Sequence, residues 1–549
     1  MRYPHSWFLQ MFTIDMPPAS LLRVGRCARA IAVLILAAIV QPAFTCAQTL
    51  NVLFAFPYNA NSVSNYPDGA NPYAEMIEGP DGNYYTTTIQ GGAGACPGLS
   101  QVIPGCGAIV KVTPSGQLSV VYSFPYDSSN QTAPDGLNPQ AGLVQGPDGN
   151  LYGAATYGGS LGTAGPCITP ARIGGGCGTV FKVTSAGKAT VLHTFCGGNG
   201  CGSLATDGYL PAGRLIFGTD GNLYGTTQFG GVYQGVFNSG TIFRISRSGT
   251  YKILHVFSGN SNTGDGANPA AGLIQASDGN FYGTTMSGGT SGIYGTVFKM
   301  SHSGAVTVLH SFTSSNDLNG AQPEGALAEA SDRNLYGTAY SGGANGWGTV
   351  FRISKSGVFK KIYDFTQAAG NVGFLPKAGL IQASDGNLYG TAWEGGGPTQ
   401  VGSIYQLTLP GVATLEAGFD GQNTGSAPVD ALLQGSDGKF YVTLQNGGGP
   451  NGSGVQGTLA VLSASLAPPK PSISGFRPAK GTVGQKIMVS GTSFVGATAV
   501  TFNGTSSSFV VNASGFVTAT VPVGASSGRL SVTTAGGVAT SKNDFTVLP

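Results

Sequence analysis

The sequence predicts an all-β protein in which a seven-bladed β-propeller, closed by an N-terminal outer strand, precedes an immunoglobulin-like β-sandwich. Three observations lead to this prediction. A strand-and-turn unit occurs seven times, an unpaired strand stands before the first unit, and the repeat disappears after residue 465. Fixed repeats of short strands and turns are typical of propellers, because each unit buries its apolar faces against its neighbours.

Each repeat is marked by a Pro, by an acidic turn nine residues later, and by a Gly-Gly pair ten residues after that. The Pro residues are Pro72, Pro139, Pro211, Pro269, Pro323, Pro376 and Pro428. The turn residues are Asp81, Asp148, Asp220, Asp278, Asp332, Asp385 and Asp437. The pairs begin at Gly91, Gly158, Gly230, Gly288, Gly342, Gly395 and Gly447.

The fourth repeat illustrates the strands of one predicted blade. Residues 271–277 form a first strand, and the tight turn 278–280 leads into a second strand at 281–286. A third strand covers 295–301, and a fourth covers 306–312. Four antiparallel strands joined by short turns make one blade. The turns at Asp278 and at its equivalents lie on one face, and the loops of variable length lie on the other.

The seventh repeat lacks a fourth strand of its own. It begins its third strand at Gly457, but a Pro-rich segment follows before another strand can form. An apolar strand without a repeat, Thr49–Phe56, stands at the other end of the repeats. Because an open ring would leave exposed strand edges, we expect Thr49–Phe56 to become the outer strand of the seventh blade.

The composition excludes two broad classes of protein. Gly is abundant at 90 residues, but 41% of the chain is hydrophobic, which a disordered chain would not be. Charged residues make up only 9% and the formal net charge is +2, so the sequence predicts no nucleic-acid surface.

The N-terminus predicts export. Residues 1–47 combine Arg23, Arg26 and Arg29 with the apolar run 30–40 and small residues before Gln48, as a signal peptide does. Cys46 raises the alternative of lipid attachment, although the preceding residues 43–45 fit a lipid-attachment box poorly. No second apolar stretch is long enough to span a membrane.

Six cysteines remain after the predicted signal peptide, and they fall into three local pairs. These are Cys96 with Cys106, Cys167 with Cys177, and Cys196 with Cys201. Proximity favours these three disulfides among the fifteen possible connectivities, and an exported protein allows them. A metal site would need ligands that converge at a different spacing.

A stiff Pro-rich linker at 466–470 separates the repeats from residues 471–549. The latter residues alternate in short strands such as 486–490, 499–502 and 529–533, which predicts a small β-sandwich. They resemble the IPT/TIG immunoglobulin-like domain. The resemblance rests on Pro471, Ile473, Pro478, Gly481, Gly484, 489–491, Phe494, 500–504, 521–522, Gly528, Val532 and 545–547. It implies a spacer or adhesive module rather than a catalytic one.

The repeats also resemble a known family. Units such as 272–285 followed by 295–301 are similar to the GloVer-type tandem repeats of bacterial exported proteins, over about residues 49–465. This resemblance implies no particular activity and assigns no site residue.

Aromatic residues near the Gly-Gly loops are the candidate ligand-binding residues, because exposed rings can stack on a sugar or a peptide. Trp393 with the neighbouring Glu394 is the preferred candidate, and packing between blades is the alternative for all of the rings. The complete set is Tyr157, Phe229, Tyr340, Trp347, Trp393 and Glu394.

Repeated acidic and histidine residues are interpreted as structural. His193, His255 and His310 occupy equivalent outer strands and should not converge on a metal. The seven turn Asp residues should each support a hairpin. A second set before Gly could instead ligate Ca²⁺, namely Asp68, Asp135, Asp207 and Asp265.

The predicted function is that of an exported, monomeric, non-enzymatic binding or structural module with a carbohydrate or protein ligand on the variable-loop face. No catalytic residue, metal or cofactor is predicted. The alternative is a propeller lyase or hydrolase that acts on an extracellular polysaccharide or another cell-surface substrate. Unrepeated acidic, His or Tyr residues gathered at the central opening, with shifted pKa values, would favour this alternative.

Overall fold

The structure is a computed structural model, and it describes most of the chain after the predicted signal peptide. The described residues are 48–57, 66–92, 105–127, 129, 132–159, 176–195, 206–233, 236–237, 239–259, 264–290, 293–315, 317–448 and 455–549. Residues 48–549 form one compact unit, and the predicted signal peptide at 1–47 lies outside the described residues. The described part of the chain is all-β and contains no helix with the length and apolarity to cross a bilayer.

Each of the seven repeats builds an antiparallel sheet of four strands, with a fifth strand in the first sheet and an outer strand from the N-terminus in the seventh. The first sheet contains Ile77–Glu78, Tyr84–Gln90, Ala108–Val112 and Leu118–Ser123, with Ala70–Pro72 also paired to Tyr84–Gln90. The second contains Val144–Gln145, Leu151–Ala155, Thr179–Val183 and Ala189–Thr194. The third contains Ile216–Phe217, Leu223–Thr227, Thr241–Ile245 and Tyr251–Val256. The fourth contains Ile274–Gln275, Phe281–Thr285, Thr296–Met300 and Val306–Ser311.

The remaining sheets repeat this arrangement. The fifth contains Ala328–Glu329, Leu335–Ala339, Thr349–Ile353 and Phe359–Asp364. The sixth contains Ile381–Gln382, Leu388–Ala392, Ser403–Leu407 and Ala413–Gly418. The seventh contains Leu433–Gln434, Phe440–Leu444, Val455–Ser463 and Thr49–Pro57. Two small two-stranded antiparallel sheets pair Ala133–Leu137 with Tyr157–Gly159 and Val232–Tyr233 with Val236–Phe237.

The acidic turn between the first two strands is held by its own side chain. In the fourth sheet, Asp278 accepts the Asn280 N–H at 3.1 Å and the Tyr282 hydroxyl at 2.8 Å. Gly279 between them has a φ of 85°, a conformation that favours glycine. All seven turn Asp residues accept the same two kinds of hydrogen bond, so each supports its own turn.

The first strand of each sheet is shorter than the sequence predicts. In the fourth repeat the prediction was a strand at 271–277, but only Ile274–Gln275 pair with the next strand. The residues before it follow the neighbouring sheet instead. The Thr226 hydroxyl of the third sheet donates to the Ala271 carbonyl at 3.0 Å, so the segment before Ile274 contacts the neighbouring sheet.

Consecutive sheets contact each other in chain order. From the third sheet onward, a Thr hydroxyl of one sheet donates to a backbone carbonyl at the start of the next. The pairs are Thr226 with Ala271 at 3.0 Å, Thr284 with Gly325 at 3.2 Å, Thr338 with Ala378 at 2.8 Å and Thr391 with Asp430 at 3.4 Å. The first two junctions use the Asn138 N–H on the Cys106 carbonyl at 2.8 Å and the Leu210 N–H on the Cys177 carbonyl at 2.9 Å.

The seventh sheet contacts the first. The rings of Tyr441 and Tyr84 stack with centroids 3.9 Å apart, and the Ser436 N–H donates to Glu78 at 2.8 Å. The contacts therefore run through all seven sheets and return to the first.

The N-terminal strand completes the seventh sheet. Thr49–Pro57 pairs antiparallel with Val455–Ser463, from Thr49 opposite Ser463 to Pro57 opposite Val455. Phe56 is fully buried beside Leu459 and Tyr441 in one apolar cluster. The predicted pairing of the N-terminal strand with the last repeat is thus confirmed.

Residues 471–549 form two sheets around an apolar core. One sheet has the order Ser472–Arg477, Lys486–Thr492, Phe516–Thr520, Phe509–Ala513. The other has the order Lys480–Gly481, Gly537–Val547, Gly528–Thr534, Ala499–Phe502, Thr505–Ser506. The buried side chains between the sheets include Val489, Phe502, Val517, Val532 and Phe545. The predicted immunoglobulin-like sandwich is confirmed.

Candidate functional site

A cavity of about 1160 Å³ is lined by residues of all seven repeats, mostly from the segments just before the first strands. Residues of the C-terminal domain also line it, among them Ser472, Ser490 and Phe516. Because side chains from all seven repeats meet there, this cavity is the candidate functional site.

The side chain that follows each repeat Pro lines the cavity. Every one of these Pro residues is buried, and every following residue is half-buried. The seven following residues are Tyr73, Gln140, Ala212, Ala270, Glu324, Lys377 and Val429. Because they differ between repeats, they give the cavity a chemistry that the repeat does not impose. We call the end of the cavity formed by these seven residues the mouth.

The second and third residues after each repeat Pro are nearly always small. Residues at these positions include Ala74, Ala141, Gly142, Gly213, Ala271, Gly272, Gly325, Ala326, Ala378, Gly379 and Ala431. Close approach between repeats explains the preference, since a Cβ on Gly213 would lie 2.6 Å from the backbone of Ala271. The three exceptions are Glu75, Arg214 and Asp430, and all three line the cavity.

The three exceptions form one charged cluster, although they come from the first, third and seventh repeats. Arg214 Nη1 forms an ion pair with the Glu75 carboxylate. Asp430 Oδ2 accepts the Glu75 backbone N–H at 3.0 Å, and Asp430 Oδ1 accepts the Ala431 N–H at 2.8 Å. The Nε of Arg214 has no hydrogen-bond partner among the described residues.

Burial shifts the protonation equilibria of this cluster. It raises the pKa of Asp430 to about 6, although the Ala431 N–H and the Arg214 charge act in the opposite direction. It lowers the pKa of Arg214, and the Asp430 charge opposes this shift. The Arg214 side chain nevertheless stays 40% accessible to water, because it faces the cavity. The cluster can therefore donate and accept hydrogen bonds inside the cavity.

A second group of charges lies at the mouth. Lys377 Nζ is 3.6 Å from the centroid of the Trp393 ring and 5.3 Å from that of Tyr340, within range of a cation–π interaction. Burial raises the pKa of Glu324, and the Lys377 charge opposes this shift. Burial, followed by the charges of Asp430 and Glu324, raises the pKa of Tyr73. The pKa of Tyr73 is thus raised by a charge from the cluster, that of Asp430, and by one at the mouth, that of Glu324.

The structure brings three of the six predicted ligand-binding residues together. Tyr340 and Trp393 share Lys377, and the charge of Glu394 is one cause of the raised pKa of Tyr340, after burial and Glu324. These three residues lie beside the mouth.

The other three predicted residues pack elsewhere. The Trp347 ring lies 5.2 Å from Phe374, and the Phe229 ring stacks on Tyr209 at 5.6 Å. Tyr157 pairs with Leu137 in a two-stranded sheet and packs against an apolar cluster. The rings of Trp347, Phe229 and Tyr157 therefore pack against other side chains of the protein.

Sequence reasoning missed Tyr73, Glu75, Arg214, Glu324, Lys377 and Asp430. The signal that could have found them is a departure from the repeat. The three positions after each repeat Pro are mostly Ala or Gly, and these residues are the charged or aromatic exceptions.

The acidic residues of the inter-repeat loops contact outer strands. His193 Nε2 lies 3.1 Å from Asp207, and His255 Nε2 lies 3.1 Å from Asp265. The Tyr122 hydroxyl donates to Asp135. Each of these contacts joins an outer strand to the inter-repeat loop that follows it, so these residues do not gather at one point.

Two of the six cysteines are described. Cys106 and Cys177 are both disulfide-bonded. Cys96, Cys167, Cys196 and Cys201 lie outside the described residues. Which cysteine pairs with which stays a prediction.

Comparison with known families identifies both parts of the chain. The model of the Gloeobacter/Verrucomicrobia repeat matches residues 45–234, 168–327 and 211–456. The model of the IPT/TIG domain matches residues 471–547. No curated protein matches the chain.

Two solved structures are similar only at the level of a distant fold. A fungal alcohol oxidase of the AA5 family, in complex with copper, is 13% identical, with 87% of this chain and 98% of that chain covered and a TM-score of 0.38. A protein of unknown function from Dyadobacter fermentans is 12% identical, with 76% and 99% covered and a TM-score of 0.39. Similarity at this level says nothing about activity.

Proposed function

The chain belongs to the Gloeobacter/Verrucomicrobia repeat family and ends in an IPT/TIG domain, and on this premise we propose that it is an exported, non-enzymatic binding module. In this proposal the seven sheets form a closed seven-bladed propeller, and the cavity at its centre is the binding site. The contacts that run from each sheet to the next, and from the seventh to the first, support the ring. A ring of this kind presents unrepeated side chains on a rigid scaffold, as binding proteins require.

The proposed ligand is an uncharged, polyhydroxylated molecule, in other words part of a carbohydrate. One observation carries this choice: charged side chains of both signs line the same cavity. Glu75, Glu324 and Asp430 face Arg214 and Lys377 within it. A ligand of a single charge would meet like charges, whereas hydroxyl groups can donate to the carboxylates and accept from the cations. The Tyr73 and Trp393 rings near the mouth offer surfaces on which a sugar ring can stack.

The proposed location is outside the cytoplasm, either secreted, periplasmic or at the cell surface. The predicted signal peptide supports it, and so does a set of cysteines in local pairs. We propose the three pairs Cys96–Cys106, Cys167–Cys177 and Cys196–Cys201, and a monomeric protein.

A glycan array with the mature protein, followed by calorimetry on the strongest hits, tests the proposed binding. We expect Trp393→Ala and Arg214→Gln to weaken binding at least tenfold. Trp347→Ala and Arg529→Gln are matched controls, since Trp347 packs on Phe374 and Arg529 lies on the surface of the C-terminal domain. No binding to any glycan, or equal loss in the cavity variants and the controls, would overturn the proposal.

The alternative enzymatic function is favoured by one specific observation. Unrepeated Glu75, Arg214, Asp430 and Tyr73 gather in the cavity, and a carboxyl group whose pKa is about 6 can act as a general acid or base near neutral pH. A polysaccharide lyase or hydrolase would release new chain ends. Incubation with extracellular polysaccharides, with Asp430→Asn as the control, would detect them, and turnover lost in that variant would replace the binding proposal by this one.

A further inference from the structure

We infer that the C-terminal domain is a wall of the central cavity, which closes the end opposite the mouth, and is not a spacer. Solutes then reach the cavity only through the mouth. The inference concerns access to the cavity and holds whichever ligand the cavity takes.

The first argument is the lining itself. Ser472, Ser490, Thr492 and Phe516 of the C-terminal domain face the same cavity as the first strands of the repeats. The contacts of this domain with the repeats lie beside an acidic turn, since Arg477 donates to the carbonyl of the turn residue Asp220 and Phe516 packs on the nearby Phe217. The domain therefore occupies the end of the cavity at the acidic turns.

The second argument is the way the domain spans this end. The chain enters it from the sixth and seventh sheets, where the Ser384 hydroxyl donates to the carbonyl of Ala467 in the linker at 2.6 Å. Its far side rests on the third sheet. There the Phe516 ring meets Phe217 edge-on at 5.5 Å, and Arg477 donates to the Asp220 carbonyl at 3.3 Å. In a cycle of seven sheets, the third lies across from the sixth and seventh, so the domain crosses the opening between them.

The third argument is the chemistry of this wall. The Ser472 and Thr492 hydroxyls lie 2.7 Å apart, and the Ser490 hydroxyl donates to the Gly475 carbonyl at 3.2 Å. Hydroxyl groups and the nearby Lys542 keep this surface compatible with water and with a polar ligand. Because the domain closes the end opposite the mouth, a polymer that enters at the mouth cannot thread through the cavity.

Thiol labelling of the full-length mature protein tests the closure without any ligand. Ser490→Cys places a thiol on the wall inside the cavity, and Val523→Cys places one on a residue that is 85% exposed on the same domain. Each is treated with a small methanethiosulfonate reagent and with a maleimide carried on a 5-kDa polymer, with the unmodified protein as the blank. We expect the small reagent to label both thiols and the bulky one to label Ser490→Cys at least tenfold more slowly than Val523→Cys.

A second variant separates closure from simple burial of the new thiol. Phe516→Ala combined with Arg477→Ala removes both contacts with the third sheet, and we expect it to accelerate bulky labelling of Ser490→Cys at least tenfold. Val510→Ala, on the exposed surface of the same domain, is the control and should leave the rate unchanged. Equal bulky labelling of the two thiols would overturn the inference. So would a Ser490→Cys thiol that neither reagent reaches, because the mouth would then not admit solutes.

Discussion

The Asp430 carboxylate accepts the backbone N–H of Glu75 at 3.0 Å, so a side chain of the seventh repeat holds the backbone of the first. The same carboxylate belongs to the charged cluster in the cavity. The contact therefore joins the first and the last repeat. It does so between two of the three positions at which a charged residue replaces the usual Ala or Gly.

The raised pKa of Asp430 predicts a pH-dependent stability. A carboxyl group with a pKa of 3.8 in the unfolded chain and about 6 in the folded one favours folding below pH 4, and this contribution is lost as the pH rises through 6. Asp430→Asn removes the titration. We expect its free energy of unfolding to improve relative to that of the natural protein as the pH rises from 4 to 8, because only the natural protein then has to ionise a buried carboxyl group.

Urea unfolding at several pH values measures this difference. Asp544→Asn, on the exposed surface of the C-terminal domain, is the control for exchanging an aspartate for an asparagine. A constant difference between Asp430→Asn and the natural protein would contradict the predicted titration.

The buried hydroxyl of Tyr405 predicts a stabilising substitution. Tyr405 is fully buried, and its hydroxyl has no hydrogen-bond partner among the described residues. The equivalent positions of four other repeats carry Phe181, Phe243, Phe298 and Phe351. We expect Tyr405→Phe to raise the free energy of unfolding by about 1 kcal/mol, because it removes an unsatisfied polar group.

Thermal unfolding checks this, with Tyr389→Phe as the matched control. The Tyr389 hydroxyl donates to Asp385 at 2.9 Å, so its removal should lower stability. A loss of stability in both variants would show that the Tyr405 hydroxyl is satisfied in solution.

The N-terminal strand should contribute to global stability. Phe56 is fully buried between the seventh and first sheets, so Phe56→Ala should cost about 3–5 kcal/mol through lost burial and the cavity left behind. Val52→Ala in the same strand is the control, since Val52 is 37% exposed and should cost less than about 1 kcal/mol. Denaturant titration measures both. Similar small costs would mean that the strand adds little to the fold.

The acidic turns should make the protein sensitive to strong acid. Burial opposes ionisation of Asp278, but hydrogen bonds from Asn280, Tyr282 and Lys299 outweigh it and lower the pKa of Asp278 to about 2. This stabilisation is present above pH 4 and is lost as the pH falls through about 2. Asp278→Asn should therefore lower the free energy of unfolding at pH 7 by about 1 kcal/mol, after a discount for solvent screening.

Unfolding measured between pH 2 and pH 7 tests this expectation, and the natural protein and Asp278→Asn should converge at the acid end. A gap between the two that persists at pH 2 would refute the role given to ionised Asp278.

Strictly periodic features could be predicted from the sequence. The acidic turns, the strand that follows them and the pairing of Thr49–Phe56 depend on residues that recur at fixed spacing or on a strand that the pattern leaves without a partner. The first strands are shorter than predicted, since the residues before them contact a neighbouring sheet, as Ala271 contacts Thr226, and local sequence cannot show such a partner.

The cavity residues could not be found in the same way. Arg214 and Asp430 are separated by more than two hundred residues, and their proximity depends on how the repeats converge. Trp393 and Trp347 both lie by Gly-Gly loops, but the Trp393 ring contacts Lys377 whereas the Trp347 ring packs on Phe374. Only the side-chain environment separates these two cases.

The partnership of Thr49 with Ser463 also imposes an order of events during synthesis. Thr49–Pro57 is the first strand to be synthesised after the predicted signal peptide. It cannot pair until Val455–Ser463 has been made, about four hundred residues later. Until then its apolar residues have no sheet to join. If the chain is exported while still unfolded, nearly all of it must cross the membrane before the seventh sheet can be completed, and the last step of folding then falls on the far side.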